Sequence, residues 1–381
     1  MGAGPLAGIR VVELAGLGAA PFCGMVLADL GADVIRVERP DRVIGGHTSS
    51  TRHDLLNRGK RSIGVDLKHE AGVDIVLRLC GTAELFIEGF RPGVTERLGI
   101  GPTQILARNS AIVYGRMTGW GQDGPLSARA GHDIDYIALS GALHGVGTED
   151  TPVVPLNLVG DYGGGGMLLA VGLLAALAHA RTTGKGQVVD AAMVDGSALL
   201  TTAMHGYLAE GFWSTERAAN LLDGGAPFYS IYETADGKYL AVGALEPQFF
   251  ATLIEALDLA SESVGEQTDR ERWPEMRATF TARFLERSRD EWESLFEGLD
   301  ACVAPVLLPD EAPGNRHNAH REVFIEIDGV TQPAPAPRFS LTATTTPAGP
   351  VFPGCDTDAI LRSLGLTEED TSKLRQVGAV A

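Results

Sequence analysis

Three side chains that can carry or shift a proton stand at predicted helix starts. Asp161 precedes four glycines, Gly163 to Gly166, and the apolar run Met167 to Ala178. His132 follows a glycine-rich loop, and Glu246 precedes Pro247. A carboxylate at a helix N-terminus faces unpaired N–H groups, and imidazole exchanges protons near neutral pH. These residues could therefore do acid–base chemistry, although the acids also fit as helix caps and His132 as a structural histidine.

Four cations lie just after predicted strands. They are Arg39, Lys68, Arg91 and Arg116. Ligands of open parallel sheets bind beyond the carboxyl ends of the strands. In a chain of net charge −18, four cations at such points indicate a polyanionic ligand such as a phosphorylated cofactor. Each one alone would fit equally well as a solvated surface residue.

The elements that must position these residues begin with a βαβ unit. Gly8–Ala15 and Ala32–Glu38 are predicted strands on either side of a helix over Pro21–Leu30, which implies a parallel sheet. The intervening turn resembles a dinucleotide fingerprint, but Pro21 stands where its third glycine belongs. Further strands over 61–66, 84–88 and 111–116, with a helix over 70–80, extend an α/β, Rossmann-like domain.

The pattern changes beyond Gln187. Residues 188–222 are predicted to be helical, and a β-hairpin follows around Ala-Asp-Gly-Lys at 235–238. Helices are expected from Pro247, over 271–286 and over 290–297, with a strand over 302–307 and a proline-rich linker over 332–338. The predicted domains are therefore 1–190 (large), 191–224 (helical linker), 225–325 (small α/β) and 326–381 (linker and a segment returning to the large domain).

Composition limits the classes of function. The chain has 381 residues, 44% of them hydrophobic, and its acidity argues against nucleic acid as a partner. Its four cysteines are scattered, which favours a reduced, cytoplasmic protein without a zinc site. Neither a signal pattern nor a membrane span is predicted, because Met167–Ala178 is shorter than the roughly 20 residues that a span needs. Residues 41–56 are predicted to form a surface loop.

Ten stretches together resemble the α-methylacyl-CoA racemases of the family III CoA-transferase superfamily. They are GIRVVELAG, ADVIRVERP, RGKRSIGVDLK, GFRPGVTERLG, RMTGWGQ, AGHDIDY, PLNLVGDYGGG, GKGQVVDAAMVDG, LDGGAPFY and VGALEPQF. The resemblance implies an interlocked homodimer, with a Rossmann-like large domain, a smaller α/β domain and an active site between the large domain of one subunit and the small domain of the other.

The resemblance also implies roles for residues in the matching motifs. His132 and Asp161 would be the catalytic bases, and Glu246 would support the histidine. Asp135 departs from the family, which usually has asparagine there. The implied contacts to coenzyme A are Arg39, Val65, Asp66, Leu67, Lys68, Arg91, Gly131, Asp133, Ile134, Asp135 and Tyr136.

The implied reaction moves the α-proton of a 2-methylacyl-CoA thioester from one face to the other. Two bases on opposite sides of a planar enolate would suffice, with N–H groups of the glycine run as oxyanion donors and no metal or redox cofactor. The acyl-CoA substrate would place the protein in lipid and fatty acid metabolism. One alternative is a family III CoA-transferase with Asp161 as the nucleophile. An alternative of another class is a non-catalytic regulator that binds coenzyme A or a nucleotide.

Overall fold

The structure, a computed structural model, describes residues 4–41, 51–260 and 264–381. These residues divide into two compact units. The first unit consists of Met1–Ser140, Leu156–Leu200 and His317–Ala381. The second consists of Gly141–Pro155 and Thr201–Arg316.

A six-stranded sheet in which every neighbouring pair is parallel forms the centre of the first unit. The spatial order is β3-β2-β1-β4-β5-β6, which is the order of a doubly wound Rossmann-type sheet. The predicted α/β fold class is therefore confirmed. The strands are β1 (Arg10–Leu14), β2 (Asp33–Glu38), β3 (Arg61–Gly64), β4 (Leu85–Glu88), β5 (Val113–Thr118) and β6 (Val188–Ala192).

Apolar clusters cover both faces of the sheet. Successive residues of a strand point to opposite faces, so neighbouring residues belong to different clusters. Val11 of β1 belongs to one buried apolar cluster and Val12 to the other. The Val11 cluster includes residues of α1 (Ala19–Asp29), and the Val12 cluster includes residues of α2 (Glu70–Cys80). Short helices α3 (Val94–Arg97), α4 (Pro102–Arg108) and α5 (Asp133–Leu139) follow later strands.

A 26-residue helix completes the first unit and carries Asp161. It begins as a π-helix over Leu158–Met167 and continues as α6 (Leu168–Thr183), ending at Gly184 with φ 71°. Its length and mean hydropathy of 1.6 would suffice for a membrane span. The helix is thus longer than the apolar run Met167–Ala178, which by itself is too short for a span. However, Leu169, Leu173 and Leu177 are buried in the Val11 cluster, as expected for a core helix packed on a sheet.

A buried ion pair connects β1 to the chain just before β3. Lys60 Nζ lies 2.8 Å from both carboxylate oxygens of Glu13 and also donates to the Pro21 carbonyl at 2.9 Å. Burial raises the pKa of Glu13 and lowers the pKa of Lys60, and each charge opposes the shift of the other. Gly24 must lack a side chain, because a Cβ there would lie 1.6 Å from Glu13 Oε2.

The segment after Gln187 differs from the predicted run of helix. Val188–Ala192 forms the edge strand β6, and only then do α7 (Met193–Leu200) and α8 (Thr202–Ala209) follow. No helix continues through residues 210–222. The helical linker predicted over 191–224 is thus helical only over its first half.

The second unit is built on the predicted hairpin. Strands β7 (Tyr229–Glu233) and β8 (Tyr239–Gly243) pair antiparallel, and β9 (Val303–Val306) pairs with β8. Pro247 is the first residue of α9 (Pro247–Ala256), as predicted. Helices α10 (Trp273–Phe284) and α11 (Arg289–Phe296) supply Phe280, Phe284 and Trp292 to an aromatic core, and Ser288 forms the predicted capping box of α11.

The C-terminal residues are more ordered than a linker. After α12 (Arg316–His320), β10 (Phe324–Ile327) and β11 (Val330–Pro333) form a hairpin that includes Gln332 and Pro333 of the predicted linker. Helices α13 (Thr357–Ser363) and α14 (Glu368–Gln376) were not predicted. Val380 pairs with Val65. Of the loop predicted over 41–56, residues 42–50 lie outside the described residues, and Thr51–His53 and Leu55–Asn57 are short 3₁₀ turns.

Candidate active site

His132 and Asp161 line the same cavity in the first unit. This cavity, of about 410 Å³, lies at the carboxyl ends of the strands, as expected for a parallel sheet. It is called here the base cavity. Gly131, Tyr136 and Arg91 also line it, together with Gly18, Met117, Trp120, Arg129 and Met193.

Asp161 is held in the first turn of the π-helix, not at a simple helix cap. Asn157 Nδ2 donates to Asp161 Oδ2 at 3.0 Å, and the Asp161 backbone N–H donates to Asp133 Oδ1 at 2.7 Å. Gly18, the N-cap of α1 with φ 71°, leaves room for this carboxylate, because a Cβ there would lie 3.1 Å from Oδ2. The carboxylate is thus placed against the positive end of α1.

His132 is the N-cap residue of α5. Its backbone is extended, with φ −132° and ψ 172°, and its N–H donates to Asp135 Oδ2 at 2.9 Å. The helix cap therefore fixes the backbone of His132. The side chain itself is exposed and lines the base cavity, so the imidazole can meet a ligand there.

Tyr136 forms part of the wall beside both residues. Its ring packs edge-on against Trp120, with centroids 4.7 Å apart. Burial, together with the nearby negative charges of Asp161 and Asp135, raises the pKa of Tyr136 to about 12. Gly119 is required for this packing, since a Cβ there would lie 2.0 Å from the ring. The phenol therefore remains neutral at physiological pH.

The glycine run allows helices to pack closely, and it does not present its N–H groups to a ligand. A Cβ on Gly164 would lie 2.7 Å from the Ser197 backbone nitrogen of α7, and one on Gly166 would lie 2.7 Å from the Ala19 carbonyl oxygen of α1. Within a π-helix, N–H groups bond to carbonyls five residues earlier. The prediction that these N–H groups are oxyanion donors was therefore wrong.

A second cavity lies beside the base cavity and contains several of the residues predicted to bind coenzyme A. It measures about 570 Å³, and Arg39, Val65 and Leu67 line it. Leu17 and Phe90 line both cavities. An elongated ligand passing these two side chains could therefore occupy both. We call this second cavity the anion cavity after the exposed Arg39 in its lining. Arg36 also lines it but pairs with Glu38, and Glu38 and Asp54 are lining residues too.

The four predicted cations have different environments. Arg39 and Arg91 are exposed and line the anion cavity and the base cavity respectively, with Arg39 also 3.0 Å from Asp41 Oδ2. Lys68 is exposed but lines neither cavity. Arg116 is buried and donates to Glu88 and Glu96 at 3.0 and 2.8 Å. The prediction of Arg116 as a ligand-facing cation was wrong, because its guanidinium pairs with the buried Glu88 and with the exposed Glu96.

The remaining predicted contacts take local roles in this structure. Asp66 Oδ1 accepts from the Lys68 backbone N–H at 2.9 Å. Ile134 is 41% exposed and lines neither cavity. Asp135 caps His132 and lines a shallow third cavity with Trp120. Asp133 lies behind the wall of the base cavity and not on its surface.

Glu246 lies in the second unit as the N-cap residue of α9. Its backbone is extended, its side chain makes no capping hydrogen bond, and it is exposed. A cap residue that leaves the helix N–H groups unbonded keeps its carboxylate available for another partner. This agrees with the unusual choice of glutamate at that position.

Two site residues escaped the sequence analysis. Asn157 precedes Asp161 by four residues, a helical spacing that would have indicated the contact if the helix had been predicted to begin at Leu158. Arg129 lines the base cavity from an irregular loop, and no local pattern marks it. Among the described residues, no cluster of three or more His, Cys, Asp or Glu side chains is placed to hold a metal ion.

The base cavity combines the groups needed for proton transfer at a carbon atom. An imidazole, a carboxylate, a neutral phenol and an exposed arginine all line the same cavity. Carboxylate and imidazole can each act as general acid or base. The same carboxylate could also act as a nucleophile.

Comparison with known proteins adds an independent observation. Residues 6–358 match the family model described as CoA-transferase family III. The chain is 44% identical to the α-methylacyl-CoA racemase of Mus musculus, covering 97% of this chain and 96% of that protein. It is 33% identical to the succinyl-CoA:glutarate CoA-transferase of Mus musculus over 94% of this chain and 86% of that protein. A solved CAIB/BAIF family protein from Brucella suis superposes with a TM-score of 0.80, at 28% identity, covering 95% of this chain and all of that one.

Proposed function

This chain belongs to CoA-transferase family III, and we propose that it is an isomerase that interconverts (R)- and (S)-2-methylacyl-CoA thioesters. The observation that carries the proposal is the placement of His132 and Asp161 on one cavity. Support also comes from relatives named α-methylacyl-CoA racemase in mouse and in Homo sapiens, the latter 43% identical over 97% of this chain.

In the proposed reaction, one base removes the α-proton and the other returns a proton to the opposite face. The electrons of the broken C–H bond move toward the thioester oxygen and form an enolate, which collapses when the second base protonates the α-carbon. His132 and Asp161 exchange these roles when the other enantiomer binds. Because each base ends a turnover in the opposite protonation state, the enzyme resets by running in reverse or by exchange with water.

We propose that coenzyme A, as part of the substrate, extends from the base cavity into the anion cavity. Arg91 would face its phosphates from the first, and Arg39 from the second. Charge-assisted bonds from arginine are the strong contacts for phosphate. The backbone around Val65 to Lys68 and around Gly131 would contact the remaining parts of coenzyme A. No metal or redox cofactor takes part in the proposed reaction.

We propose that Glu246 completes the site and is supplied by the second unit of a partner subunit in a homodimer. An acid beside His132 would orient the imidazole and stabilise its charged form, as acids do in triads. We further propose a role in lipid and fatty acid metabolism, in the cytoplasm. The unpaired cysteines, of which Cys23 and Cys80 are buried, support a reducing compartment.

A deuterium assay tests the proposal. Either enantiomer of a 2-methylacyl-CoA, incubated with the enzyme in heavy water, should gain deuterium at the α-carbon and give a mixture of enantiomers. A panel of acyl chains would then identify the preferred substrate. Absence of α-deuterium with every chain would contradict the proposal.

The second candidate is a CoA-transferase with Asp161 as nucleophile, favoured by the 33% identity to a succinyl-CoA:glutarate CoA-transferase. It predicts a mixed anhydride at Asp161 that hydroxylamine traps during turnover, and transfer of coenzyme A to a free acid. A non-catalytic regulator would bind coenzyme A without either reaction. His132 on the same cavity favours proton transfer over both.

A further inference from the structure

Asp133 is next to His132 in the chain and contacts Asp161 in space. It follows His132 directly as the first residue of α5. Its Oδ1 accepts from the Asp161 backbone N–H at 2.7 Å. A single carboxylate therefore ties the start of α5, which carries one base, to the first turn of the π-helix, which carries the other.

The contact is buried and tightly packed. Asp133 is 8% exposed, and its Oδ2 is buried without a hydrogen-bond partner among the described residues. Burial raises the pKa of Asp133, and the hydrogen bond from Asp161 opposes that rise. A buried carboxylate with one unpartnered oxygen is costly for folding. A contribution to stability alone therefore does not account for this carboxylate.

Gly160 leaves the space that the Asp133 carboxylate occupies. A Cβ on Gly160 would lie 2.4 Å from Asp133 Oδ1. The residue before Asp161 must therefore be glycine for the carboxylate to reach the Asp161 N–H. The contact therefore depends on the carboxylate of Asp133 on one side and on the missing side chain of Gly160 on the other.

We propose that Asp133 is a positioning residue that fixes the distance between His132 and Asp161 across the base cavity. The inference rests on the proposed function, since it assumes that both side chains serve one carbon atom. Asp133 itself lies outside the cavity lining and acts through the Asp161 backbone. A displacement of about 1 Å at such a site can cost on the order of 100-fold in rate.

Two substitutions separate the hydrogen bond from the charge. Asp133→Asn keeps an acceptor oxygen for the Asp161 N–H and removes the negative charge. Asp133→Ala removes both. If the role is positioning, kcat should fall about 100-fold in Asp133→Ala, with KM within about threefold of the wild-type value. Asp133→Asn should keep most of the wild-type kcat.

The test uses the full-length enzyme with (R)- and (S)-2-methyloctanoyl-CoA in heavy water. In Asp133→Ala, the ratio of α-deuteration to inversion should rise, because a proton removed by His132 is no longer returned efficiently by Asp161. Hydrogen–deuterium exchange at the Asp161 amide should also accelerate about tenfold or more in Asp133→Ala, and not in Asp133→Asn. A merely structural role would leave the deuteration-to-inversion ratio unchanged.

Asp356→Ala is the matched control. Asp356 Oδ2 accepts from the Ser62 backbone N–H at 2.9 Å and lines neither cavity. Its loss should lower Tm and leave the ratio unchanged. An unchanged Asp161 amide in Asp133→Ala, or equal defects in the alanine and asparagine variants, would overturn the inference. If the wild type shows no α-deuteration, the proposed function fails, and the amide exchange still decides whether Asp133 holds Asp161.

Discussion

Gly196 of α7 lies so close to Gly164 of the π-helix that a Cβ on Gly196 would stand 1.8 Å from the Gly164 carbonyl oxygen. Real Cβ atoms do not approach an oxygen this closely, so the two helices meet backbone to backbone. The π-helix carries Asp161 in its first turn. The contact between Gly164 and Gly196 therefore fixes the segment that places the carboxylate.

Gly196→Ala should destabilise the protein by about 1–3 kcal/mol or more, because the added methyl forces the two backbones apart. Urea unfolding monitored by circular dichroism measures the change. Gly206→Ala in α8 is the matched control, since a Cβ there has nothing within 4 Å. Replacing a helical glycine by alanine should stabilise that variant by about 0.5–1 kcal/mol. Equal behaviour of the two variants would contradict the close contact.

His132→Ala and Asp161→Ala should each reduce racemisation by about 10²–10⁴-fold while the protein remains folded. Each variant retains one base, so it should still exchange the α-proton of one enantiomer with retention of configuration. The two variants should prefer opposite enantiomers, as α-deuteration of each pure enantiomer in heavy water will show. A shared preference would place both bases on the same face of the thioester.

Glu246→Ala should also impair the enzyme, and mixed dimers can show which subunit supplies the residue. If the protein forms the proposed homodimer, co-expression of His132→Ala and Glu246→Ala subunits that carry different purification tags gives heterodimers. If the site combines His132 of one subunit with Glu246 of its partner, one site per heterodimer is intact, and about half of wild-type activity should return. Inactive heterodimers would place both residues of a site in one chain.

Arg91 and Arg116 should respond differently to replacement by alanine. Arg91 is exposed on the base cavity, so its loss should raise KM for acyl-CoA about tenfold or more, since a charge-assisted hydrogen bond contributes about 1.5–3 kcal/mol. Loss of Arg116 leaves Glu88 buried without its cation, which should cost about 3–5 kcal/mol of folding free energy. Steady-state kinetics and urea unfolding of both variants separate the two effects.

Glu88 should make stability depend on pH. Burial raises its pKa from 4.5 to about 7 in the folded protein, against the lowering effect of the Phe90 N–H and Arg116. Between these two values the folded state binds more protons than the unfolded state, so this contribution to stability decreases as pH rises. The slope is at most about 1.4 kcal/mol per pH unit.

The comparison that isolates Glu88 is with Glu88→Gln, which cannot titrate. The unfolding free energy of the wild type minus that of the variant, measured from pH 4.5 to 7.5, should decrease steadily as pH rises and level off above pH 7. A difference that stays constant over this range would show that Glu88 remains ionised.

Much of the first unit could be predicted because its elements are locally encoded. The helix over Glu70–Cys80 begins and ends where its apolar spacing predicts, and the buried strands β1 to β5 read as short apolar runs between turns. The edge strand Val188–Ala192 was missed, because five residues of mixed exposure lead directly into a helix without a turn signal. Pairing with β5 makes it a strand.

Local sequence patterns were enough to predict the βαβ units and the α/β class, and the chain shows directly the glycine run beside Asp161 and the residue types that can move a proton. Those features follow from short-range periodicity and backbone freedom. Only packing in three dimensions makes the helix of Asp161 begin as a π-helix, pairs Arg116 with the buried Glu88 and the exposed Glu96, and lets Asp133 join the two base-carrying elements. Such contacts join residues 20 to 30 positions apart, so packing and not local pattern selects them.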